Sequence, residues 1–325
     1  MIPIMERRGA ACSPREFHDA VNVTFHNFES EVYDHEHRDM WESLPQQFEL
    51  LIADCLQFLP EDKRNLRLLD IGCGTGLAVE SILRSAMGGR IRSVDLLDSS
   101  SVMLLRARER VSRRKLPVSC HQGYLDSLSA DRRFDVIVTS SVLHHVPDLP
   151  SFLRNVRALQ SHGGLFLHIQ DPNGDYLDDP ELHGRMEEQS RRPLPPWAYR
   201  LTPSRVARGL FDRATGRRGP AFIWKTNRVL LDKGIVKTPL SIHEIYSITD
   251  IHATLGDNEG ISISRMRQWL PDYDCVSERA YAFFGELRSK LPAARRKIEE
   301  QLIAARALNG FHIGAAWRLR SEPQG

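Results

Sequence analysis

The stretch Leu68-Leu69-Asp70-Ile71-Gly72-Cys73-Gly74-Thr75-Gly76 decides the fold of this 325-residue chain. An apolar run typical of a buried strand ends in three glycines at alternate positions, and a helical pattern follows. Glycines here permit a tight turn and let a ligand approach the backbone without meeting a Cβ. The lysine of a P-loop is missing and the GxGxxG spacing does not fit, so neither a P-loop nor a dinucleotide-binding turn is indicated.

The pattern downstream predicts an α/β fold. Short apolar runs alternate with helical stretches, which is typical of a parallel sheet built from βαβ units. Strands are predicted at 66–71, 91–97, 118–122, 134–139 and 165–169, and helices at about 76–87, 100–114 and 149–161. Towards the end, Cys275–Phe284 and the alternating stretch that starts at Phe311 predict two further strands of a seven-stranded sheet.

Four segments are predicted along the chain. Residues 1–63 are mostly helical in pattern and form an N-terminal cap, and residues 64–171 form the core of the sheet. Residues 172–260 hold many of the prolines and show no series of strands, so they are predicted to be a cap or lid inserted into the sheet domain. Residues 261–325 then complete the sheet.

Composition excludes several classes of protein. Forty-four Lys and Arg against 42 Asp and Glu leave a net charge of +2, too little for a long-range field that attracts nucleic acid or a membrane surface. Five cysteines without a CxxC pair indicate a reducing compartment. With no signal peptide and no long apolar run, the sequence predicts a soluble cytoplasmic protein and leaves a homodimer open.

Three ordered motifs resemble the class I S-adenosylmethionine (SAM)-dependent methyltransferases. The Gly-rich stretch resembles their motif I, Asp98-Ser99-Ser100-Ser101-Val102-Met103-Leu104 their DxSxxML segment, and Phe134–Val138 with Val142–Asp148 their fourth strand and the following loop. The resemblance implies a Rossmann-like, mostly parallel sheet with helices on both faces. It also implies SAM as the cofactor and a small or medium organic molecule, held under a helical cap, as the methyl acceptor.

The same resemblance implies a set of residues that bind the cofactor. Asp98 would accept hydrogen bonds from both ribose hydroxyls, with Asp95 as the alternative because strand ends are uncertain by a residue or more. Asp70 would fix the Gly-rich loop near the methionine amine of SAM. The other expected contacts are Tyr33, Gly72, Cys73, Gly74, Gly76, Ser99, Met103, Gly123, Tyr124, Leu125 and Ser140.

Two of these contacts carry open alternatives. The family often has an acid that faces the adenine amine where Tyr124 stands, so Tyr124 would stack on the adenine or Asp126 would supply the acceptor. Tyr33 resembles a tyrosine that covers the cofactor in many members of the family, and its alternative is a helix-packing aromatic.

Candidate catalytic residues follow the fourth and fifth strands. His144 and His145 lie where the loop after strand four meets the expected acceptor pocket, and histidine suits a general base. A structural loop explains the pair as well. After strand five, Asp171 or Tyr176 could contact the acceptor, although a plain turn also fits the sequence there.

No metal site is predicted. His35 and His37 are two residues apart and point in different directions on a helix, and no cysteine or HExxH pattern lies near them. In the insertion, basic and aromatic residues either hold an anionic acceptor or form solvated surface, namely Arg191, Arg192, Trp197, Arg217 and Arg218. The polar cluster Thr249-Asp250-Ile251-His252 could return to the pocket.

Two other functions fit the same motifs. A cyclase of methyltransferase fold would let the amine of SAM attack its own side chain and would release methylthioadenosine instead of S-adenosylhomocysteine (SAH). A non-catalytic member would use its cap as a partner surface and would fail to bind the cofactor. The methyltransferase is preferred because motif I is intact.

Calorimetric titration with SAH tests the cofactor prediction. We expect micromolar or tighter binding to the wild-type protein and at least about tenfold weaker binding to Asp98→Ala, because two charge-assisted hydrogen bonds are lost and about 1.4 kcal/mol equals a factor of ten. No binding to folded wild-type protein would contradict the enzyme prediction. Unchanged binding to Asp98→Ala would move the ribose contact to Asp95.

Overall fold

A seven-stranded sheet organises the chain, in a computed structural model that describes residues 1–60, 64–129, 131–191, 220–253 and 259–320. The strands are β1 (Leu66–Ile71), β2 (Ile91–Asp98), β3 (Val118–Gln122), β4 (Phe134–Ser140), β5 (Gln160–Pro172), β6 (Tyr273–Tyr281) and β7 (His312–Leu319). Their order is β3-β2-β1-β4-β5-β7-β6, with the first five parallel and β7 antiparallel to both of its neighbours. The predicted α/β fold class is confirmed.

Helices connect and flank these strands. They are α1 (Ile2–Arg8), α2 (Pro14–Glu29), α3 (Tyr33–Glu36), α4 (Arg38–Cys55), α5 (Leu77–Arg84), α6 (Ser101–Ser112), α7 (Leu149–Leu159), α8 (Pro180–Ser190), α9 (Ala221–Asp232), α10 (Ile242–Thr249), α11 (Ile263–Trp269) and α12 (Ala293–Ala304). Side-chain caps set several of their starts. Ser100 Oγ accepts from Met103 N at the start of α6, and Asp148 accepts from Ser151 N at the start of α7, as its N-cap position predicts. None of the helices within the described ranges combines the length and the apolar character that a membrane crossing requires.

The start of β5 differs from the prediction. The strand begins at Gln160 and not at 165, because its pairing with β4 shifts between Phe134 and Val136 and continues through Gly163. Gly163 has a φ of +71°, which a glycine adopts without strain. Gly163 therefore lies inside an irregular strand.

The chain divides into two compact units. One consists of Met1–Glu31 and Glu187–Asp250 and is called the helical unit here; the other, Val32–Met186 with Ile251–Gly325, is the sheet unit. Residues 32–60, predicted as part of an N-terminal cap, thus belong with the sheet. The boundaries predicted at 63/64, 171/172 and 260/261 stay predictions.

Each unit has its own apolar core. In the helical unit, α2 packs Phe17, Val21 and Phe25 against α9 and α10. In the sheet unit, one face of the sheet is covered by α4 and α5, and the other by α7 and α11. Phe48, Leu51, Ile52 and Cys55 of α4 are fully buried, which matches the helical face that their spacing predicts.

A carboxylate on α4 joins that helix to the far edge of the sheet. Asp54 accepts two hydrogen bonds from Arg279 of β6, at 2.7 and 3.0 Å, one from Ser277 at 2.7 Å and one from Arg306 at 2.6 Å. Burial alone would raise the pKa of Asp54, but these donors outweigh it and lower the pKa to about 2.

This cluster gives a stability prediction with a defined pH dependence. Asp54→Asn should lower the free energy of unfolding by about 2 kcal/mol near neutral pH, since charged hydrogen bonds are lost. The folded pKa lies below the ordinary value of 3.8, so the contribution is present above that value and is lost as pH falls towards about 2. Denaturant titrations at several pH values should show that the difference in the free energy of unfolding between variant and wild type becomes smaller in acid. Asp232→Asn, in an exposed pair with Arg228, is the control and should change little.

Candidate active site

The Gly-rich loop after β1 folds back onto the end of β2. Gly72 and Cys73 donate their backbone N–H groups to Leu97 O at 2.8 and 3.1 Å. All three glycines have positive φ, +64° at Gly72, +50° at Gly74 and +93° at Gly76. A Cβ at Gly72 would lie 2.5 Å from Val142 Cγ2, whereas a Cβ at Gly74 would have no atom within 4 Å among the described residues. The loop is therefore closed on one side and open to a ligand above Gly74.

Asp98 is bound directly to this loop. Its Oδ2 accepts from Gly74 N at 2.9 Å and its Oδ1 accepts from Ser100 N at 2.8 Å. A carboxylate has about four lone-pair sites, so a group such as Asp98 can accept more than two hydrogen bonds. Asp98 thus lies at the edge where parallel strands end and ligands bind in open α/β sheets.

Asp95, the alternative to Asp98, lies elsewhere. It is three residues earlier on β2 and therefore on the other face of the sheet. It is buried and accepts from Arg132 at 2.6 Å and from His121 at 2.8 Å. The carboxylate of Asp95 is therefore engaged by side chains of the protein itself, which favours Asp98 over Asp95 as the residue that would bind the ribose.

Asp70 and Cys73 are both buried beneath the loop. Burial raises the pKa of Asp70 to about 8, opposed by the nearby backbone N–H of Val79, yet neither carboxyl oxygen completes a hydrogen bond within the described residues. Burial likewise raises the pKa of the Cys73 thiol, so Cys73 contributes its backbone to the loop and not a reactive thiolate.

The loop after β3 meets the same edge. Gly123 donates its N–H to Asp98 O at 3.0 Å and has a φ of +135°. Tyr124 follows it with 37% of its surface exposed, while Leu125 is buried. Asp126 is exposed on the 3-10 turn that follows, so both alternatives for the adenine contact are accessible.

The other predicted cofactor residues surround this edge in different ways. Met103 is buried in the first turn of α6, and Ser99 precedes Ser100, which caps that helix. Ser140 ends β4. Tyr33 begins α3, with its ring 4.4 Å from that of His37. The structure therefore brings the ends of β1, β2 and β3 together as predicted, and the assignment of individual contacts to SAM stays a prediction.

These residues fit SAM. The open side of Gly74 leaves room for a ligand, and Asp98 offers two acceptor oxygens beside it. Asp70 is a buried carboxyl whose oxygens complete no hydrogen bond among the described residues. Hydroxyl pairs and a cationic amine are the groups that such acceptors bind.

A second polar group lies at the ends of β4 and β5. The backbone turns there through two left-handed residues, Ser141 with φ +59° and Gln170 with φ +68°, the latter at a bulge in β5. His144 Nδ1 lies 2.8 Å from Asp171 Oδ1, and His144 N also donates to that oxygen at 3.2 Å. Asp171 is fully buried, which would raise its pKa, but His144 and His168 outweigh the burial and hold it well below the ordinary value.

Sequence reasoning missed the residues that extend this group. His168 is fully buried with Nδ1 3.8 Å from Asp171 Oδ2. On the other side of the bulge, Gln170 accepts from Tyr281 Oη at 2.9 Å and its Nε2 lies 3.2 Å from His312 Nε2. Burial lowers the pKa of His312 to about 4. The one available signal was His168 within the apolar run of residues 165–169, followed directly by Gln170.

The remaining candidates are placed as follows. His145 is half-buried with its ring 4.1 Å from that of His144, and Tyr176 is half-buried after a turn in which Asp175 caps α11. His252 returns to the same region, donating N–H to His144 O and Nε2–H to Val146 O, each at 3.0 Å. In the helical unit, Thr249 donates to Asp250 and Arg191 is exposed and paired with Glu187. Arg192, Trp197, Arg217 and Arg218 lie outside the described residues.

A family model described as a methyltransferase domain matches residues 40–214, which are 175 of the 325 residues. The chain belongs to this family. The cofactor of class I methyltransferases is SAM, and the family and the cofactor predicted from the motifs are confirmed.

Curated relatives match a third to two fifths of this chain. A ubiquinone biosynthesis O-methyltransferase of Methylobacterium sp. (strain 4-46) is 34% identical over 108 residues, covering 33% of this chain and 41% of that protein. A highly reducing polyketide synthase, lcsB of Purpureocillium lilacinum, is 33% identical over 144 residues, covering 40% of this chain and 6% of that protein. The chain thus spans less than half the length of these relatives.

Solved structures align over more of the chain at low identity. A SAM-dependent methyltransferase from Clostridium acetobutylicum ATCC 824 is 11% identical with a TM-score of 0.42, covering 84% of this chain and 91% of that one. The DhpI–SAH complex is 20% identical with a TM-score of 0.35, covering 49% and 71%. The fold assignment rests on the strand order of the chain itself.

Substitution of Gly74 tests the open side of the loop. Gly74→Ala adds a methyl group where SAM is expected and costs about 1 kcal/mol for a left-handed alanine. We expect a folded protein whose affinity for SAH, measured by calorimetry, falls about tenfold or more, equivalent to about 1.4 kcal/mol. Gly184→Ala, on α8 with open space at its Cβ, is the control and should bind SAH normally. Wild-type affinity in Gly74→Ala would show that the cofactor does not approach this side.

Proposed function

We propose that the protein transfers the methyl group of SAM to a hydroxyl oxygen of a small or medium organic acceptor. The observation that carries the choice of oxygen is the bond between His144 Nδ1 and the buried carboxylate of Asp171. A hydroxyl must lose its proton when it is methylated, and a histidine oriented by a carboxylate is suited to take that proton.

Residues at the ends of β1 and β2 would hold the cofactor. Asp98 would bind the ribose hydroxyls. Asp70 would face the methionine amine of SAM, and the positive charge of that amine would favour ionisation of a carboxyl whose pKa is raised by burial. When bound, SAM supplies an electrophilic methyl group on a sulfonium. The open loop above Gly74 lets the cofactor approach the backbone closely.

His144 would act as the general base. Because Nδ1 donates its hydrogen to Asp171, the neutral ring carries its basic lone pair on Nε2. Asp171 is fully buried and its pKa is held low, so it remains ionised and fixes this tautomer. Two further hydrogen bonds from His252 to the loop fix the position of the ring. The base is thus oriented before an acceptor arrives.

The names of the relatives support an oxygen acceptor. Several curated proteins similar to this chain are ubiquinone biosynthesis O-methyltransferases. Each match covers about a third of this chain, so the acceptor class and not the individual acceptor is taken from it.

An acceptor panel tests the proposal. Protein and SAM are incubated with phenols and catechols, carboxylates, primary amines and thiols, and SAH and methylthioadenosine are measured by mass spectrometry. We expect SAH to form with hydroxyl compounds. His144→Gln and Asp171→Asn should lower kcat about 100-fold or more, because general-base catalysis contributes at least that factor, while SAH affinity stays near that of the wild type.

Asp178→Asn, at an exposed position near the same turn, is the matched control for Asp171→Asn and should retain full activity. Methylthioadenosine without SAH would replace the proposal with the cyclase. Equal activity of His144→Gln and wild type would show that His144 is not the general base. Methyl transfer only to amines or thiols would contradict an oxygen acceptor.

A further inference from the structure

A second carboxylate, Asp34, binds the Gly-rich loop from the N-terminal side. Thr75 donates its hydroxyl hydrogen to Asp34 Oδ1 at 2.5 Å. Thr75 lies between Gly74 and Gly76 and is only 2% exposed. Asp34 lies on α3, the first element of the sheet unit after the chain leaves the helical unit at Glu31.

The same carboxylate joins two further elements. Trp41 of α4 donates its Nε1–H to Asp34 Oδ1 at 3.1 Å, and Arg110 of α6 donates to Asp34 Oδ2 at 2.7 Å. The Arg110 guanidinium also lies over the Trp41 ring, 3.9 Å from its centre. Asp34, Trp41 and Arg110 therefore form a closed set of contacts, and Thr75 connects this set to the loop.

Adjacent residues of the loop are thus bound by carboxylates from two separate elements. Asp98 of β2 accepts from the backbone of Gly74, and Asp34 of α3 accepts from the side chain of Thr75. Three glycines within five residues give the unbound loop many alternative conformations. Hydrogen bonds that restrict it to one conformation before the ligand arrives raise affinity, because less ordering is required on binding.

We propose that Asp34 is a positioning residue for the cofactor, which acts through Thr75 by holding the Gly-rich loop in its binding conformation. The inference rests on the proposed function, because it requires that SAM bind at this loop. Asp34 does not need to touch the cofactor itself. A merely structural residue that joins α3 to α4 would change the stability of the ligand-free protein and leave the affinity for SAH unchanged.

Thr75→Val separates these two roles. Valine has nearly the shape of threonine and removes only the hydroxyl, so the bonds of Asp34 to Trp41 and Arg110 persist. We expect SAH affinity in calorimetry to fall about fivefold or more. A lower melting temperature of the ligand-free protein with unchanged SAH affinity would instead indicate a merely structural bond. Ser81→Ala removes a comparably buried hydroxyl, bonded to Leu77 O within α5, and should bind SAH as the wild type does.

A double-mutant cycle identifies the partner of Thr75. Asp34→Asn should also weaken SAH binding, and the double variant Asp34→Asn/Thr75→Val should bind about as weakly as the weaker single variant, because both changes break one shared connection. Additive losses would show that the two residues act separately and would overturn the inference.

The outcomes also separate this inference from the proposed function. If folded wild-type protein does not bind SAH, both are wrong. If wild-type protein binds SAH and Thr75→Val binds within twofold of it, the positioning role is wrong and the cofactor site stands. If Asp34→Asn fails to fold, the comparison of Thr75→Val with Ser81→Ala still decides the question.

Discussion

The cofactor edge depends on one interaction, the hydrogen bond from Gly74 N to the Asp98 carboxylate. The loop can present its N–H group to β2 only because the three glycines have positive φ, where side chains are strained. The two bonds to Leu97 O close the loop on the same strand, and Gly123 N binds the backbone oxygen of Asp98 from the other side. Leu97 and Asp98 at the end of β2 thereby set the relative position of three strand ends.

The two buried carboxyl groups of the site show how hydrogen-bond donors decide ionisation. Asp70 and Asp171 are both fully buried, yet the pKa of Asp70 is raised to about 8 and that of Asp171 is held well below its usual range. Asp171 has two histidines of this chain beside it. Asp70 lacks such donors among the described residues, and a cationic ligand amine would supply one. Asp171 of β5 is thus hydrogen-bonded to a histidine of the chain, whereas Asp70 of β1 has no comparable partner among the described residues.

Sequence patterns over a few neighbouring residues predicted those parts of the structure that depend on neighbouring residues alone. The strands, the Gly-rich turn and the position of Asp98 follow from periodicity and from a motif of nine residues. The contact of Tyr281 with Gln170 joins residues 111 positions apart, and no pattern in either segment indicates it. The bulge at Gln170 also turns Asp171 towards His144, although regular alternation would place it differently. Asp34 was missed for the same reason, since its role depends on Thr75, 41 residues away.

Two of the points where the chain crosses from the helical unit to the sheet unit, at 31/32 and 250/251, lie next in sequence to residues of the site. Shortly after the chain enters the sheet unit at Val32, Asp34 binds the Gly-rich loop, and shortly after it re-enters at Ile251, His252 binds the loop of His144. Each passage therefore ends in a hydrogen bond to one half of the site, the first to the cofactor loop and the second to the base. These bonds come from residues of the sheet unit that are next to the helical unit in sequence. The sheet motifs alone are not enough to form this site, which also needs the two segments that connect it to the helical unit.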